Sequence, residues 1–225
     1  MSSLADRIKI ARLGQGDDIN LSIQFILNCG IKEAGSCFGG YHTSTYEFIK
    51  KVGFIPYDTC MPYIACSDDT SEGFCQYVDT SCKIKKTEGD DGEIFIDRKS
   101  MNNVCRTCDT FAGMGGSCSE IDMFPNATVA EYGIIDLDDN VVTNIMTEIF
   151  VRGPVAATIN AEPIVGYKGG IFTDDSYSQR TNHIVSIVGW ETDKGTGKKA
   201  WIIRNSWGTF FNRSAFADCC NCDLF

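Results

Sequence analysis

The chain has 225 residues, 43% of them hydrophobic, and a formal net charge of −10, with a sequence pI near 4.6. That length supports a real core, as one large domain or two small ones. The acidity argues against nucleic acid as a partner, and no apolar run approaches the length of a membrane span. Twelve cysteines imply a disulfide framework made in an oxidising compartment.

Leu4, Ile8, Ala11 and Leu13 share one helical face that ends near Gly14. Met1 to Arg7 has neither a basic start nor an apolar stretch, so it is no signal peptide. With so many cysteines, this predicts that an N-terminal part of the protein is missing. Asn20 is a candidate cap for a second helix carrying Leu21, Ile23, Phe25 and Ile26 up to Cys29-Gly30. Gly39-Gly40 marks a simple turn or a close backbone approach. Tyr46, Ile49 and Val52 line a third helix, stopped by Gly53. His42, one of two histidines, reads as a surface or loop residue.

From Tyr57 to Ser119 the chain is irregular and rich in cysteine, and its middle, Lys83 to Asn103, reads as a solvated loop. Val129 to Leu137 reads as a strand. Asp139 is placed to cap a helix with Val142, Ile145, Met146, Ile149 and Phe150 on one stripe, ended by Gly153-Pro154. Extended runs follow at Val155–Ile159, Gly170–Phe172, His183–Glu191 and Lys199–Ser206. Helices first and strands later make an α+β architecture. Asn-X-Ser/Thr triplets at Asn20, Asn126 and Asn212 are compatible with glycosylation on a secretory route.

The chemistry concentrates in the last two runs. His183 opens an apolar, β-branched run and Asn205 closes the next, with turn residues Asp193 to Gly197 between. An antiparallel hairpin would bring the start of one run beside the end of the other. A histidine oriented by an asparagine amide is the base half of a Cys-His-Asn site. The plainer reading is a strand-end histidine and a turn asparagine. Cys105-X-X-Cys108 is half of a zinc motif, but two histidines and no second clean partner pair oppose that reading.

Asn205-Ser206-Trp207-Gly208 and Asn182-His183 before an apolar strand resemble the papain-like cysteine peptidases. Further matches run in order through Ala5-Asp6-Arg7-Ile8, Gly35-Ser36-Cys37-Phe38-Gly39-Gly40, Cys105-Arg106-Thr107-Cys108, Tyr132-Gly133, Gly153-Pro154 and Tyr167-Lys168-Gly169-Gly170-Ile171-Phe172. Within the family they point to its cathepsin Z-like (cathepsin X-like) branch. The resemblance implies a two-lobed α+β fold, with a helical, disulfide-rich lobe over 1–122, a β-barrel lobe over 123–225, and an active cleft between them. It implies cysteine-type peptidase activity, with carboxypeptidase and endopeptidase modes both open, in a lysosomal, vacuolar or extracellular setting. Peptide or protein substrates and protein inhibitors are the implied partners, with no cofactor, no metal, no nucleic acid and no membrane span.

Residue by residue, the resemblance makes His183 the general base and acid, Asn205 its orienting partner and Trp207 the cover of their bond. Gly39 and Gly40, chiefly the second, offer backbone to the substrate. Trp190 and Trp201 fall in the barrel core. Cys60 would pair with Cys105, Cys108 with Cys118, and Cys29 with one of Cys66, Cys75 or Cys82, the other two bonding each other. Cys37 would be unpaired. The local signature of the nucleophile is not in the chain, and the alignment of Ala5 to Ile8 places that cysteine before Met1, together with the oxyanion glutamine and the branch's insertion loop. The family's closing strand also looks missing: Phe211, Asn212, Ala215 and Phe216 occupy its place, and Cys219, Cys220 and Cys222 have no physical account. The competing reading is an inactive homologue that binds peptides or inhibitors.

Overall fold

A computed structural model describes residues 1–70, 72–82, 86–88, 94–96, 103–109, 116–173, 180–208 and 215–218. In chain order the elements begin with α1 (Ser2–Ala11), α2 (Ile23–Cys29), β1 (Gly35–Ser36), β2 (Gly39–Gly40), α3 (His42–Val52) and β3 (Ile55–Pro56). Short strands follow: β4 (Lys86–Glu88), β5 (Ile94–Ile96), β6 (Arg106–Asp109), β7 (Ser117–Glu120) and β8 (Asn126–Ala127). Next come α4 (Val141–Arg152), β9 (Val155–Ile159), β10 (Ile171–Phe172), β11 (His183–Thr192), β12 (Lys199–Arg204) and β13 (Ala215–Asp218). They form two compact units. One holds Met1 and Ile19–Ile134; the other holds Ser2–Asp18 and Ile135–Phe225.

The first unit is organised by α2. Ser22 caps it, accepting from Phe25 N at 3.0 Å and donating to Met61 O at 2.7 Å. The cap expected at Asn20 is therefore not the one formed: Leu21 is used in a bridge to Tyr57, and the helix starts beyond it. Ile23 consequently faces solvent. Gln24 is buried with its amide fully used, donating to Asn28 Oδ1 and Cys66 O and accepting from Ile64 N, as a buried amide must. Phe25 packs against Phe48 and Phe54. Gly53 ends α3 with φ of 83°, its N–H bonded to Ile49 O.

Gly35 and Gly40 pair across the β1–β2 hairpin. A Cβ on Gly35 would run into Gly39 O and Gly40 Cα, and one on Gly40 into Ala34 O. The close backbone approach is thus the reason for glycine here. Four disulfides lie in this unit: Cys29–Cys82, Cys60–Cys105, Cys66–Cys75 and Cys108–Cys118. The last joins directly opposed residues of the β6–β7 ladder.

Two expectations fail in this part of the chain. Val129–Leu137 forms no strand: Glu131, Tyr132, Ile134 and Leu137 are exposed, and the run has no ladder partner among the described residues, while β8 lies earlier and pairs with β3. The loop expected over Lys83–Asn103 contains a β4–β5 ladder; its other residues, apart from Asn103, lie outside the described ones.

In the second unit the strands form one sheet in the order β10-β13-β12-β11-β9. β10 and β13 run parallel and the other pairs antiparallel. Among the described residues it is an open sheet with edges β9 and β10, so the expected closed barrel is not formed there. Residues 215–218, where the closing strand looked missing, pair with β12 as β13. Asn212, Cys219, Cys220 and Cys222 lie outside the described residues.

The core joins Trp201 and Ile187, both 1% exposed, to Ile145, Ile149 and Ala157. Trp190 lies directly opposite Trp201 and packs on the same cluster. Val188 bulges from β11 beside Gly189, shifting the register between Ile187 and Gly189. Three local readings change. Leu13 lies past the end of α1, 86% exposed with φ of 55°. The helix cap is Asn140 rather than Asp139, with Asp138 accepting from Asn140 N and Val141 N. Phe150 is 84% exposed, because the stripe of Ile145 and Ile149 already fills the sheet-facing side of α4.

Candidate active site

His183 and Asn205 are placed by the β11–β12 hairpin. β11 begins at His183, opposite Ile159 of β9. The preceding Asn182 pins that start: its N–H donates to Ile159 O and its Oδ1 accepts from Ala161 N. β12 ends at Arg204, so Asn205 is the first residue beyond the ladder. The turn between the strands is closed by Asp193, whose N–H donates to Lys198 O and whose carboxylate accepts from Thr196. The hydroxyl of Thr196, and then its backbone N–H, hold the Asp193 carboxyl below its ordinary range.

His183 Nε2 lies 2.8 Å from Asn205 Oδ1. The same Oδ1 accepts from Ser206 N at 2.8 Å, and a backbone N–H can only donate. That second bond fixes which amide atom faces the imidazole. The oxygen accepts, Nε2 carries the proton, and Nδ1 is left as the basic nitrogen. The indole of Trp207 lies against the imidazole, ring centroids 4.9 Å apart and planes tilted by 33°. All three side chains are partly buried, which strengthens the bond between them by keeping part of the water away.

Three residues of α1 bond to other parts of the second unit, two to the hairpin and one to the α4–β9 junction. Ser3 Oγ and Ser186 Oγ share a buried hydrogen bond of 2.7 Å. Asp6 takes a two-pronged contact from Arg204, Nη1 to Oδ1 at 3.0 Å and Nη2 to Oδ2 at 2.6 Å. Arg7 donates to Pro154 O, Gly153 O and Glu148. Burial raises the Glu148 pKa, but the guanidiniums of Arg7 and Arg152 outweigh it and leave that pKa lowered. Gly153 takes a φ of 102°, and a Cβ there would come within 2.7 Å of Ile10 Cδ1, so glycine lets α1 seat closely.

The other expected site residues belong to the first unit. Gly39 and Gly40 are exposed on the β1–β2 hairpin. Cys37, between these strands, is exposed and is the cysteine without a disulfide among the described residues. His42 is not a loop residue. It opens α3 half-buried, with Nδ1 buried and unpartnered among the described residues, and burial pushes its pKa below the ordinary 6.5. Of the glycosylation triplets, Asn20 is exposed, whereas Asn126 is half-buried and donates to Phe124 O at 2.9 Å.

This fold and hairpin site define a class. The family model described as "Papain family cysteine protease" matches residues 1–222, and the chain belongs to that family. Within it, the chain is similar to cathepsin Z of Onchocerca volvulus, 32% identical over 213 residues that cover 92% of this chain and 55% of the relative. It is also similar to a cathepsin L-like proteinase of Phaedon cochleariae, 33% identical over 89% of this chain and 46% of that one. The solved structure of digestive procathepsin L 3 from Tenebrio molitor larval midgut shares the fold, with a TM-score of 0.59 and 20% identity, covering 98% of this chain and 57% of that chain. The chain thus spans about half the length of the curated relatives it matches.

Proposed function

We propose that this chain contributes the base half of a cathepsin Z-like cysteine peptidase site, acting on peptides or proteins. His183 is the general base and acid, Asn205 orients it, and Trp207 shields their bond. The observation that carries the reading is the Oδ1 of Asn205 held between His183 Nε2 and Ser206 N. In the reaction, a thiolate attacks the peptide carbonyl and forms a thioester as the C–N bond breaks. The imidazolium, through Nδ1, gives its proton to the departing amine. The neutral imidazole then takes a proton from the water that hydrolyses the thioester. Gly39 and Gly40 would present backbone to an extended substrate, pairing with it as an added strand does.

The resemblance of Ala5-Asp6-Arg7-Ile8 to the family's central helix supports a thiol standing on the N-terminal side of that helix. The disulfides of the first unit favour an oxidising compartment, on a lysosomal, vacuolar or secretory route. A second reading, a homologue that binds peptides or inhibitors without cleaving them, is favoured by the position of Cys37, on the hairpin of the first unit rather than at a helix start. An epoxide that alkylates papain-like nucleophiles separates the readings. It should label a chain extended upstream with the native coding sequence, at a new cysteine, and should leave residues 1–225 unlabelled. Failure to label either would favour the binding-only reading. Stoichiometric labelling of residues 1–225, abolished by His183→Ala, would show that one of the twelve cysteines present is the nucleophile.

A further inference from the structure

The two bonds between α1 and the hairpin have matching geometry. Ser186 and Arg204 are direct cross-strand partners in the β11–β12 ladder. Each grips α1, Ser186 through Ser3 and Arg204 through Asp6. Ser3 and Asp6 are three residues apart on the helix, so they lie on one face about 5–6 Å apart. Opposed residues of an antiparallel pair stand about 5 Å apart. The two spacings match, so one placement of the helix satisfies both contacts. Sliding α1 by a single residue would rotate it by about 100° and shift it by about 1.5 Å, breaking both.

Stability alone does not account for the pair. The side chains of Asp6 and Arg204 are 28% and 44% exposed, and ion pairs that open to water contribute little. Their contact is nonetheless a fork on a carboxylate, the arrangement that fixes geometry most strictly. It acts one residue before Asn205, and the Ser3–Ser186 bond acts three residues after His183.

We propose that Ser3, Asp6, Ser186 and Arg204 form a clamp that sets α1 in register against the His183–Asn205 pair, making Asp6 and Arg204 positioning residues for that site. The inference deepens the proposed function and rests on it in one respect: the nucleophile is taken to stand on the N-terminal continuation of α1. The clamp then holds thiol and imidazole at reacting distance, while Arg204 steadies the backbone that presents Asn205.

The test has two readouts. The first uses residues 1–225 labelled with 15N-histidine. With only two histidines in the chain, the His183 Nε2–H signal can be assigned by loss in His183→Gln, and His42 serves as an internal control. Asp6→Asn and the double variant Ser3→Ala/Asp6→Asn should speed exchange of the His183 proton about tenfold or more, with His42 unchanged. The charge-swapped Asp6→Arg/Arg204→Asp should restore much of the protection. If the double variant does not fold, the single and swapped variants decide.

The second readout is the epoxide reaction of the upstream-extended chain. There the same variants should lower the maximal alkylation rate by about 10- to 100-fold and leave the inhibitor's binding constant within about twofold, as a misplacement on the order of 1 Å would. An unchanged His183 exchange rate overturns the clamp whatever the extended chain does. An unchanged alkylation rate in an extended chain that does label overturns it too. An extended wild-type chain that is not alkylated overturns the proposed function instead, and the exchange measurement then decides the clamp by itself.

Discussion

At the scale of single residues, the two histidines have opposite surroundings. His183 finds an acceptor for Nε2 and a ring to lie against. His42 opens α3 with Nδ1 buried and unpartnered among the described residues, where burial and the positive end of a helix both disfavour the cation. Its folded pKa lies below 6.5, so as pH falls the unfolded chain takes up the proton first. Stability should therefore drop as pH falls from 6.5 through the folded pKa and level off below it. His42→Gln should flatten that slope by as much as one proton's worth, measured as urea midpoints between about pH 7.5 and 5.5. Identical slopes for wild type and variant would show that His42 is not the titrating group.

The difference between these residues was only half legible in the sequence. His183 heads a β-branched run with Asn205 at the end of the next, and hairpin pairing alone brings their backbones together. The orientation of the Asn205 amide was not legible, because it depends on the backbone N–H of Ser206. Nor were the partners of Ser3 and Asp6, whose bonds span 183 and 198 residues of sequence. The one available signal was their shared face on α1, and apolar periodicity pointed instead to Leu4, Ile8 and Ala11.

At the scale of elements, the long paired runs of the second unit were readable, whereas the short β4–β5 ladder and the unpaired Val129–Leu137 run were not. Val155–Ile159, His183–Thr192 and Lys199–Arg204 are β-branched and pair with one another. Val129–Leu137 also holds β-branched residues but has no ladder partner among the described residues, and extended backbone alone is not a strand. Caps were misplaced by one or two residues, since several polar residues compete at each helix start. At α2 the tertiary acceptor decides: Ser22 both caps Phe25 N and donates to Met61 O, which Asn20 does not. Ser22→Ala should thus cost about 1–2 kcal/mol, seen as a lower urea midpoint with unchanged slope. A loss well under about 0.5 kcal/mol would mean that neither bond persists in solution.

At the scale of the whole molecule, the division into units is not a linear cut of the sequence. Ser2–Asp18 counts with Ile135–Phe225, because α1 bonds to Ser186, Arg204, Glu148, Gly153 and Pro154. Composition changes along the chain cannot reveal such a return of an N-terminal helix. What composition did reveal is where the crosslinks lie. All four described disulfides fall within Ile19–Ile134, closing sequence separations of 53, 45, 9 and 10 residues. The second unit is held by the cluster around Trp201 and Ile187, with no disulfide among its described residues.

The two units therefore depend on different physics, and reduction should separate them. Each bridge contributes about 2–4 kcal/mol, by chain-entropy reasoning in which the longer loops contribute most. Together, at about 8–16 kcal/mol, they match the whole net stability of an ordinary domain, about 5–15 kcal/mol. Reduction under native conditions should then open the first unit, while the β11–β12 ladder keeps its hydrogen-exchange protection, being stabilised by apolar burial that a reductant does not touch. Exchange monitored by mass spectrometry on peptides from α2, α3, β11 and β12, with and without reductant, reads this directly. Protection lost equally from β12 and from α2 would mean that the two units unfold as one, and that the Trp201 core cannot hold the His183–Asn205 hairpin without the disulfide-bonded unit.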